Sequence, residues 1–407
     1  MFNISSDLFS ALLARARKGG GGGSATLIEK SISANGVYNA SEDSADGYSK
    51  VTVNVPSGGG TSQPRKDVNF YDYDGTVVNS YTAAEFANLS AMPSNPSHEG
   101  LTAQGWNWSL SDAKTYVASY GKLNIGQMYI TSDGKTRLYI TLTEGRTSPY
   151  LKLYLNANTE LDVDWGDSTN HSVFTTSSEG LVTKQHEYSS AGNYIIVITV
   201  ISGSFEFKSS TSNISTLLSS NNGVASSPDR CYLNSIKKVE IGSSMTAIRE
   251  SAFNSCNALR SVTIPYAVTE IEKSAFQTNS SLIYITLPNT ITDIGNNMFR
   301  NCNSLETLSI PKSVTSIGMD AFSSCFTLNE ITLPNTVTNI SSSCFNNCVS
   351  LSIIKIPSSV TSIGTNAFTN CHSLATITID KAEGSITGSP WGASTSSPTS
   401  TQIIWTG

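Results

Sequence analysis

The sequence predicts a mainly β, multidomain protein that ends in a C-terminal solenoid of 23-residue units. The first observation is a phenylalanine that recurs every 23 residues, at Phe253, Phe276, Phe299, Phe322, Phe345 and Phe368. The second is that the other apolar positions of this region keep the same step, and the third is a series of alternating apolar segments between residues 138 and 200. Alternation predicts half-buried strands. The repeats predict a stack, because so small a unit cannot bury its apolar face alone.

Each repeat unit is predicted to contain two short extended segments and a corner. In the unit that begins at Ser304, apolar residues alternate from Leu305 to Ile310, as in a strand with one buried face. A second extended segment runs from Val314 to Ile317 after a proline, and the stretch Gly318 to Cys325 forms the corner. Stacked strands lie about 4.8 Å apart, so six or seven units predict a rod roughly 30 Å long.

The repeat units resemble the BspA-like leucine-rich repeat family, whose units read S-L-x-x-I-x-I-P-x-S-V-T-x-I-G-x-x-A-F-x-x-C. The resemblance covers residues 234–379, with a degenerate first unit and a seventh that breaks off. Departures are few: Asn279 stands in place of a Cys, Gly242 in place of the first Pro, and Ser341 in place of a Gly. The family implies a surface adhesin with no catalytic residues to transfer. We therefore expect no catalytic site, no cofactor and no metal.

The outward positions of the first extended segment are the candidates for ligand binding, because they vary most from unit to unit. These candidates are Arg260, Tyr284, Glu306, Asn329, Glu330, Ile353 and Lys355. The second segment presents a threonine ladder, Thr246, Thr269, Thr292, Thr315, Thr338 and Thr361. Such β-branched residues suit exposed strands in any case, so the structural interpretation of the ladder is favoured over a binding one.

Composition excludes several classes of protein. The chain has 407 residues, of which 14% are charged against a typical quarter, and its net charge is -6. Its length predicts roughly two to four domains. No basic patch points to nucleic acid, and no stretch approaches the length of apolar sequence that a membrane span needs. In residues 1–18 the basic side chains follow the apolar part, which is the reverse of the order in a secretory signal.

The cysteine pattern predicts free thiols. Five of the seven cysteines share one repeat position, Cys256, Cys302, Cys325, Cys348 and Cys371. The odd total, and Asn279 interrupting this column, favour small buried hydrophobic residues over a disulfide ladder. Ligands 23 residues apart also lack the paired spacing of zinc sites, and His372 beside Cys371 is interpreted as incidental.

Residues 1–18 predict an amphipathic anchor helix. Its apolar residues, the candidates for assembly, are Phe2, Ile4, Leu8, Phe9, Leu12 and Leu13. A flexible glycine linker, residues 19–24, follows it. A lone helix on such a linker has no core of its own to join, so we expect it to dock into other virion proteins or into copies of itself in a homo-oligomer. A frayed terminus is the alternative.

Two small modules are predicted next. Residues 25–56 form a small β module that resembles one found in tail and other virion proteins of phages of Gram-positive gut bacteria, and residues 57–66 form a second linker. Residues 67–135 form a small α+β domain that opens with a hairpin at Asp74-Gly75, because Asp-Gly favours a two-residue turn.

The same α+β domain carries two further signals. A helix is predicted from Ser111 or Asp112 to Tyr120, where Gly121 stops it. The segment from Pro96 to Trp106 faintly resembles the InlB-type repeats of bacterial surface proteins. Within it, the pair His98-Glu99 has no third partner in view, so catalysis is disfavoured.

Residues 136–205 resemble the PKD domain, an immunoglobulin-like sandwich. The motifs are Val163-Asp-Trp-Gly-Asp167 and His186-x-Tyr-x-x-x-Gly-x-Tyr194. The resemblance implies a spacer that holds a binding unit away from its base. Asp164 and Asp167 are interpreted as holding a turn through backbone hydrogen bonds in preference to a calcium site.

The remaining boundaries complete the predicted order. Residues 206–233 connect the sandwich to the solenoid at 234–379, and residues 380–407 form a capping tail in which Trp391 and Trp405 are suitable covers. This order resembles an appendage. The favoured interpretation is an adhesion protein of a phage virion, a tail or head fibre at the virion surface, that binds a host glycan or protein through its solenoid. The alternative is a bacterial surface or secreted BspA-like adhesin. A glycan-cleaving enzyme is disfavoured, since no convergent carboxylates can be placed.

Overall fold

The computed structural model describes residues 65–209, 217–220, 230–393 and 400–407, with only the backbone of 230 and 231. The chain divides into two compact units, residues 1–61 and 62–407, and the described residues all belong to the second. The predicted anchor helix with its candidates from Phe2 to Leu13, the glycine linker and the small β module therefore lie outside the described residues.

Residues 65–131 form a small α+β domain around one four-stranded sheet. Its elements are β1 Val68–Tyr71, β2 Val77–Tyr81, α1 Ala83–Ala87, β3 Leu101–Trp106, α2 Leu110–Tyr120 and β4 Leu123–Thr131, with sheet order β2-β1-β4-β3. Helix α2 confirms the predicted helix. It begins after Ser109, whose hydroxyl accepts from the Asp112 N–H, and it ends at Gly121. Both helices pack apolar residues onto the sheet, where Phe70 meets Trp106 edge to face at 4.8 Å.

The predicted hairpin joins β1 to β2, but its connection is longer than the expected two-residue turn. Residues 72–76 link the two strands. The side chains of two aspartates hold this five-residue loop through hydrogen bonds to its backbone. Asp72 Oδ1 accepts from the Tyr73 N–H at 2.8 Å, and Asp74 Oδ1 accepts from the Thr76 N–H at 2.9 Å. Gly75 has φ +88°, a left-handed conformation that glycine adopts without strain.

A two-sheet sandwich follows this domain. Its strands are β5 Thr136–Leu142, β6 Tyr150–Leu155, β7 Thr159–Asp164, β8 Ser172–Thr176, β9 Gly180–Gln185, β10 Gly192–Ser202, β11 Phe205–Glu206 and β12 Leu218–Ser219. β5, β10, β7 and β8 form one sheet, and β6 with β9, β11 and β12 forms the other. The alternating segments of the sequence are therefore strands, as predicted, and their alternate residues bury Trp165, Phe174 and their neighbours between the sheets.

The solenoid stacks rungs of one repeat each, which we number from rung 1 with Phe253 to rung 6 with Phe368. Its strands are β13 Ile236–Glu240, β14 Ala247–Ile248, β15 Ser261–Thr263, β16 Glu270–Ile271, β17 Asp293–Ile294, β18 Ser316–Ile317, β19 Asn339–Ile340, β20 Ile353–Ile356, β21 Ser362–Ile363, β22 Thr376–Ile379 and β23 Gln402–Trp405. The mainly β class and the 23-residue solenoid are confirmed. In rungs 3 to 5 the first segment keeps only the isolated bridges of Ser309 to Thr286 and Thr332, where continuous strands were predicted.

The sandwich shares a sheet with the solenoid, so it is not the separate spacer that the PKD resemblance implied. β13 pairs antiparallel with β5 and parallel with β15, which gives the six-stranded order β15-β13-β5-β10-β7-β8. Residues 206–233, predicted as a connector, contribute β12 and helix α3 Arg230–Leu233. One apolar cluster runs through both parts. The sandwich thus closes the first edge of the solenoid, which an open stack of strands would leave unpaired.

Two columns of side chains fill the solenoid core. The six phenylalanine rings stack face to face, with neighbouring centroids 5.5 to 5.8 Å apart. Trp391 lies one repeat after Phe368, is 2% exposed and carries the column to the end of the stack, where Trp405 meets it at 6.5 Å. β23 pairs with β22 beside it. The tail residues that the sequence proposed as covers lie over the last rung.

The cysteine column is free and buried, as predicted, for every cysteine whose side chain the structure describes. Each thiol of this column from Cys302 to Cys371 donates to the carbonyl of the phenylalanine 26 residues earlier, at 3.0 to 3.2 Å. Burial raises the pKa of the Cys302 thiol to about 12. Asn279, in the same column, is fully buried, and neither of its amide atoms has a hydrogen-bond partner.

Candidate binding surface

The first-strand face of the solenoid is covered by residues 65–131, which we call the docked domain. Its contacts run from Lys238 of rung 1 to Lys355 of rung 6. At the centre of the contact, the rings of Tyr71 and Tyr284 stack with centroids 4.8 Å apart and planes 20° apart. Each tyrosine is only 1% exposed. Burial raises the pKa of Tyr71 to about 12, so its hydroxyl stays protonated in neutral solution.

Side-chain donors of the docked domain bind the ends of the first strands. Leu287, Ile310 and Leu333 occupy equivalent positions in successive rungs. Asn107 Nδ2 donates to the carbonyls of Leu287 and Ser309 at 3.2 and 3.3 Å, Trp108 Nε1 to that of Ile310 at 3.1 Å, and the Tyr116 hydroxyl to that of Leu333 at 2.7 Å. In each of three successive rungs, a backbone carbonyl therefore accepts a hydrogen bond from the docked domain. In these rungs the first-strand ladder is reduced to isolated bridges.

Close backbone approach and ion pairs complete this contact. A Cβ added to Gly126 would lie 2.5 Å from Thr286 Oγ1, so only glycine fits there. Around the rim, Arg65 pairs with Glu306 at 2.9 Å and Lys312 with Asp112 at 2.5 Å. The hydrogen bond from Lys312 lowers the pKa of Asp112. These exposed pairs add little stability, so the buried centre holds the contact together.

The docked domain changes the meaning of the candidate ligand face. Tyr284 is buried, Glu306 pairs with Arg65, and Glu330 lies 3.8 Å from Lys122. Lys355 donates to the Ser119 carbonyl at 3.0 Å and lies over the Tyr120 ring.

Asn329 is half-buried, and only Arg260 and Ile353 remain clearly exposed. The proposed residues therefore do not form one free surface. The sequence carried no signal that residues 67–135 fold back onto the repeats.

The Asp164–Asp167 turn has the hydrogen bonds of a structural turn. Asp164 Oδ1 accepts from the Gly166 N–H at 2.8 Å, and Asp167 Oδ1 accepts from the Thr169 N–H at 3.1 Å. Asp167 Oδ2 lies 2.8 Å from His186, whose ring stacks on Trp165 at 4.6 Å. Burial would raise the pKa of Asp167, but the hydrogen bonds from Thr169 and His186 outweigh it and lower that pKa.

His98, noted beside Glu99 in the sequence, pairs with Asp72 at 2.6 Å and meets the edges of Tyr73 and Tyr129. Over the described ranges, no three His, Cys, Asp or Glu side chains lie close enough together to hold a metal ion. The same ranges contain no helix long and apolar enough to cross a membrane.

The second-strand face carries an open cavity of about 800 Å³ between Thr269 and Ser341. It lies where β16 of rung 2 and β17 of rung 3 should pair but belong to separate sheets. Elsewhere the Thr315, Thr338 and Thr361 N–H groups each donate to the threonine carbonyl one rung back, at 2.8 Å. Within the described solenoid, the equivalent bond from the Thr292 N–H to the Thr269 carbonyl is absent.

A second ladder bond is missing at the same place. The N–H groups of Gly318, Ser341 and Gly364 donate at 2.8 to 2.9 Å to the isoleucine carbonyl 24 residues earlier. The equivalent bond, from Gly295 N–H to the Ile271 carbonyl, is absent from this described region. We call the opening between residues 269–272 and 292–295 the slit. The sequence predictions missed it.

Charged groups surround the slit. Glu270, Glu272 and Asp293 line it together with one lysine, Lys273. Arg249 approaches Glu270 at 2.5 Å and Glu272 at 3.0 Å, but it is also held by a bidentate bond to Glu206 at 2.7 and 2.9 Å. The sequence offered one signal. The outward column that reads Ser or Asn in rungs 4 to 6 is acidic in rungs 2 and 3.

Comparison with known families identifies the repeats. Residues 200–328 and 292–391 match the BspA type leucine rich repeat region, in six copies. The repeat region is therefore similar to the BspA-type leucine-rich repeats, as the sequence resemblance indicated. Proteins with repeats of this type are typically surface or secreted proteins with binding or adhesion roles.

Solved structures also match part of the chain. A leucine-rich repeat protein of T. pallidum is 25% identical over 35% of this chain and 64% of its own, with a TM-score of 0.27. One from Bacteroides ovatus is 25% identical over 42% and 56%, with a TM-score of 0.32. A leucine rich cell surface protein of Faecalibacterium prausnitzii is 24% identical over 44% and 74%, with a TM-score of 0.23. The chain thus spans less than two thirds of the first two proteins. A comparison with curated proteins gave no match.

Proposed function

We propose that this chain is a structural adhesion protein that binds a host cell surface through its solenoid, and that it does so as a tail or head fibre of a phage virion. The observation that carries the adhesion role is the joining of three parts into one body. The sandwich continues the solenoid sheet, and the docked domain fills the first-strand face. Such a body presents fixed surfaces, which suits passive binding better than a reaction that needs a closing cleft.

The virion location is the finer part of this proposal. It is supported by the resemblance of residues 25–56 to a module of phage virion proteins and by the predicted anchor helix at residues 1–18. The helix would join other virion proteins or sister copies, and the solenoid would face outward. A bacterial surface or secreted adhesin is the second candidate, because BspA-type repeats are typical of such proteins.

Two measurements test the proposal. Fluorescently labelled full-length chain should bind cells of a Gram-positive gut host, whereas chain unfolded by heat should not. Binding to no strain of a broad host panel would refute adhesion. Separately, mass spectrometry of gradient-purified particles should find the chain in the virion band. Its presence only in the surface fraction of uninfected cells would refute the virion role and establish the bacterial one.

The anchor assignment has its own test. Chain that lacks residues 1–18 should still bind host cells but should no longer join particles or form the oligomer of the full-length chain. Normal assembly of the truncated chain would show that the helix is not the assembly element.

A further inference from the structure

The slit is a local separation of two rungs in an otherwise regular stack. A Cβ added to Gly318 would lie 2.7 Å from the Asn296 nitrogen, and one added to Gly364 would lie 2.3 Å from the Ser342 nitrogen. At Gly295 the nearest backbone nitrogen, that of Lys273, would be 3.2 Å away. The turn of rung 3 therefore lies farther from the rung before it than the turns of rungs 4 and 6 do.

The opposite side of the same two rungs stays closed. Phe276 and Phe299 stack with centroids 5.8 Å apart and planes 5° apart. The Ser274 N–H donates to the Asn296 carbonyl at 2.9 Å just beyond the slit. The two rungs therefore keep the normal spacing along the phenylalanine column. Inserting a peptide strand would need about twice the normal spacing of 4.8 Å. The closed phenylalanine column does not permit this, so a ligand must lie across the slit from outside.

The slit offers unpaired hydrogen-bonding groups of both kinds. The missing bonds leave the Thr292 and Gly295 N–H groups and the Thr269 and Ile271 carbonyls without a backbone partner across the two rungs. The Thr292 hydroxyl is also displaced from the ladder. In the next rung, the Thr315 hydroxyl donates to the Thr292 carbonyl at 3.2 Å. The Thr292 hydroxyl instead donates to the neighbouring Asp293 carboxylate at 3.4 Å. Such groups bind water or a polar ligand, because unmet backbone groups are costly when covered.

The charge of the slit selects among polar ligands. Three carboxylates face it. Of the two nearby cations, Lys273 pairs with Glu250 at 3.3 Å, and Arg249 is shared by Glu206, Glu270 and Glu272, so negative charge remains in excess. An anionic ligand would be repelled. A hydroxyl group is both donor and acceptor, so a row of hydroxyls on one ligand matches the alternating N–H, carbonyl and carboxylate groups.

We propose that the slit binds a neutral, hydroxyl-rich glycan, lying across rungs 2 to 5 between Glu270 and Asn339. This inference rests on the proposed adhesion function and assigns it to the second-strand face. The glycan contacts the column Glu270, Asp293 and Ser316, whose members occupy the same position in rungs 2, 3 and 4.

A pair of matched variants tests the assignment. Ser316 and Ser362 occupy the same repeat position, but only Ser316 lines the cavity. Ser316→Trp should fill the cavity beside the slit, whereas Ser362→Trp adds the same side chain outside the cavity. The probe is an array of neutral, sialylated and sulfated glycans, followed by titration of the best soluble oligosaccharide against full-length chain. Wild type and Ser362→Trp should bind neutral glycans alike, and Ser316→Trp should bind at least about tenfold more weakly.

Asp293→Ala is the second variant, because it removes an exposed group without adding volume. It should also weaken neutral-glycan binding by about tenfold while leaving the thermal midpoint unchanged. Equal binding by wild type, Ser316→Trp and Asp293→Ala would overturn the assignment. Binding of acidic glycans alone would also overturn the assignment, as would binding of no glycan by a chain that still binds cells. Neither result would refute the adhesion function. Failure of the wild-type chain to bind cells would instead refute the proposed function.

Discussion

Asn279→Cys should stabilise the protein, because Asn279 is the one break in the cysteine column. Its carboxamide is fully buried, and neither amide atom has a partner. In the next four rungs a thiol takes this place and donates to a phenylalanine carbonyl at 3.0 to 3.2 Å. The equivalent acceptor for position 279 is the Phe253 carbonyl, 26 residues earlier.

The size of the effect follows from the unpaired groups. A buried polar group without a partner costs about 1–3 kcal/mol, and the substitution removes two such atoms while adding one weak donor with an acceptor in place. Cysteine and asparagine have similar volumes, so no large cavity is created. We expect the free energy of unfolding to rise by about 1–3 kcal/mol.

Urea denaturation followed by tryptophan fluorescence, under reducing conditions, measures this change. The matched control is Cys325→Asn, which places the same carboxamide in an intact part of the column and should lower the free energy of unfolding by a similar amount. Two results together would refute this reasoning: a urea midpoint of Asn279→Cys no higher than that of the wild type, and an unchanged midpoint for Cys325→Asn. Unpaired amide groups would then not be what destabilises the wild-type core.

Three further predictions concern the turns, the docked domain and the thiols. Gly318→Ala should lower the free energy of unfolding by about 1–3 kcal/mol, because the added Cβ would lie 2.7 Å from a backbone nitrogen. Gly295→Ala should lower it less, because the nearest atom would be 3.2 Å away, and equal urea midpoints for the two variants would contradict the wider spacing at the slit. Tyr71→Ala should loosen the docked domain and speed proteolytic cleavage between residues 131 and 136 relative to wild type, whereas an unchanged cleavage rate would show that the stack with Tyr284 is dispensable. At pH 8 the six described thiols should resist alkylation in the native chain and react after denaturation without reductant, since burial hides them; rapid native labelling would place them at the surface.

The repeat core could be predicted in detail because a fixed period encodes a buried face. Phe322, Cys325, Leu305 and Ile310 keep one phase in the sequence, and each is at most 1% exposed. The same reasoning found helix α2, whose stop at Gly121 is local. Features of this kind depend on side chains a few residues apart, or on one unit repeated.

The docked domain and the slit were beyond such reasoning for two different reasons. Asn107, Trp108 and Tyr116 bind backbone carbonyls of distant rungs. The repeated prolines mark carbonyls that lack a ladder donor, but nothing in the sequence matches those carbonyls to side chains so far away in the chain. Their residue types also read as ordinary turn and core residues. The slit depends on two absent backbone bonds, and only the acidic side chains of Glu270 and Asp293 hinted at it.

The two findings are connected through the irregular first strands. The Ile310 and Leu333 carbonyls accept donors from the docked domain. They lack a ladder donor because the residues opposite them in the next rung are Pro334 and Pro357, which have no N–H. Rungs 2 and 3 lose the second-strand ladder without any such replacement. An interrupted ladder in this solenoid is therefore a place where another polar partner binds, and on the first-strand face that partner is already part of the chain. By the same logic, the slit is where a partner from outside has room to bind.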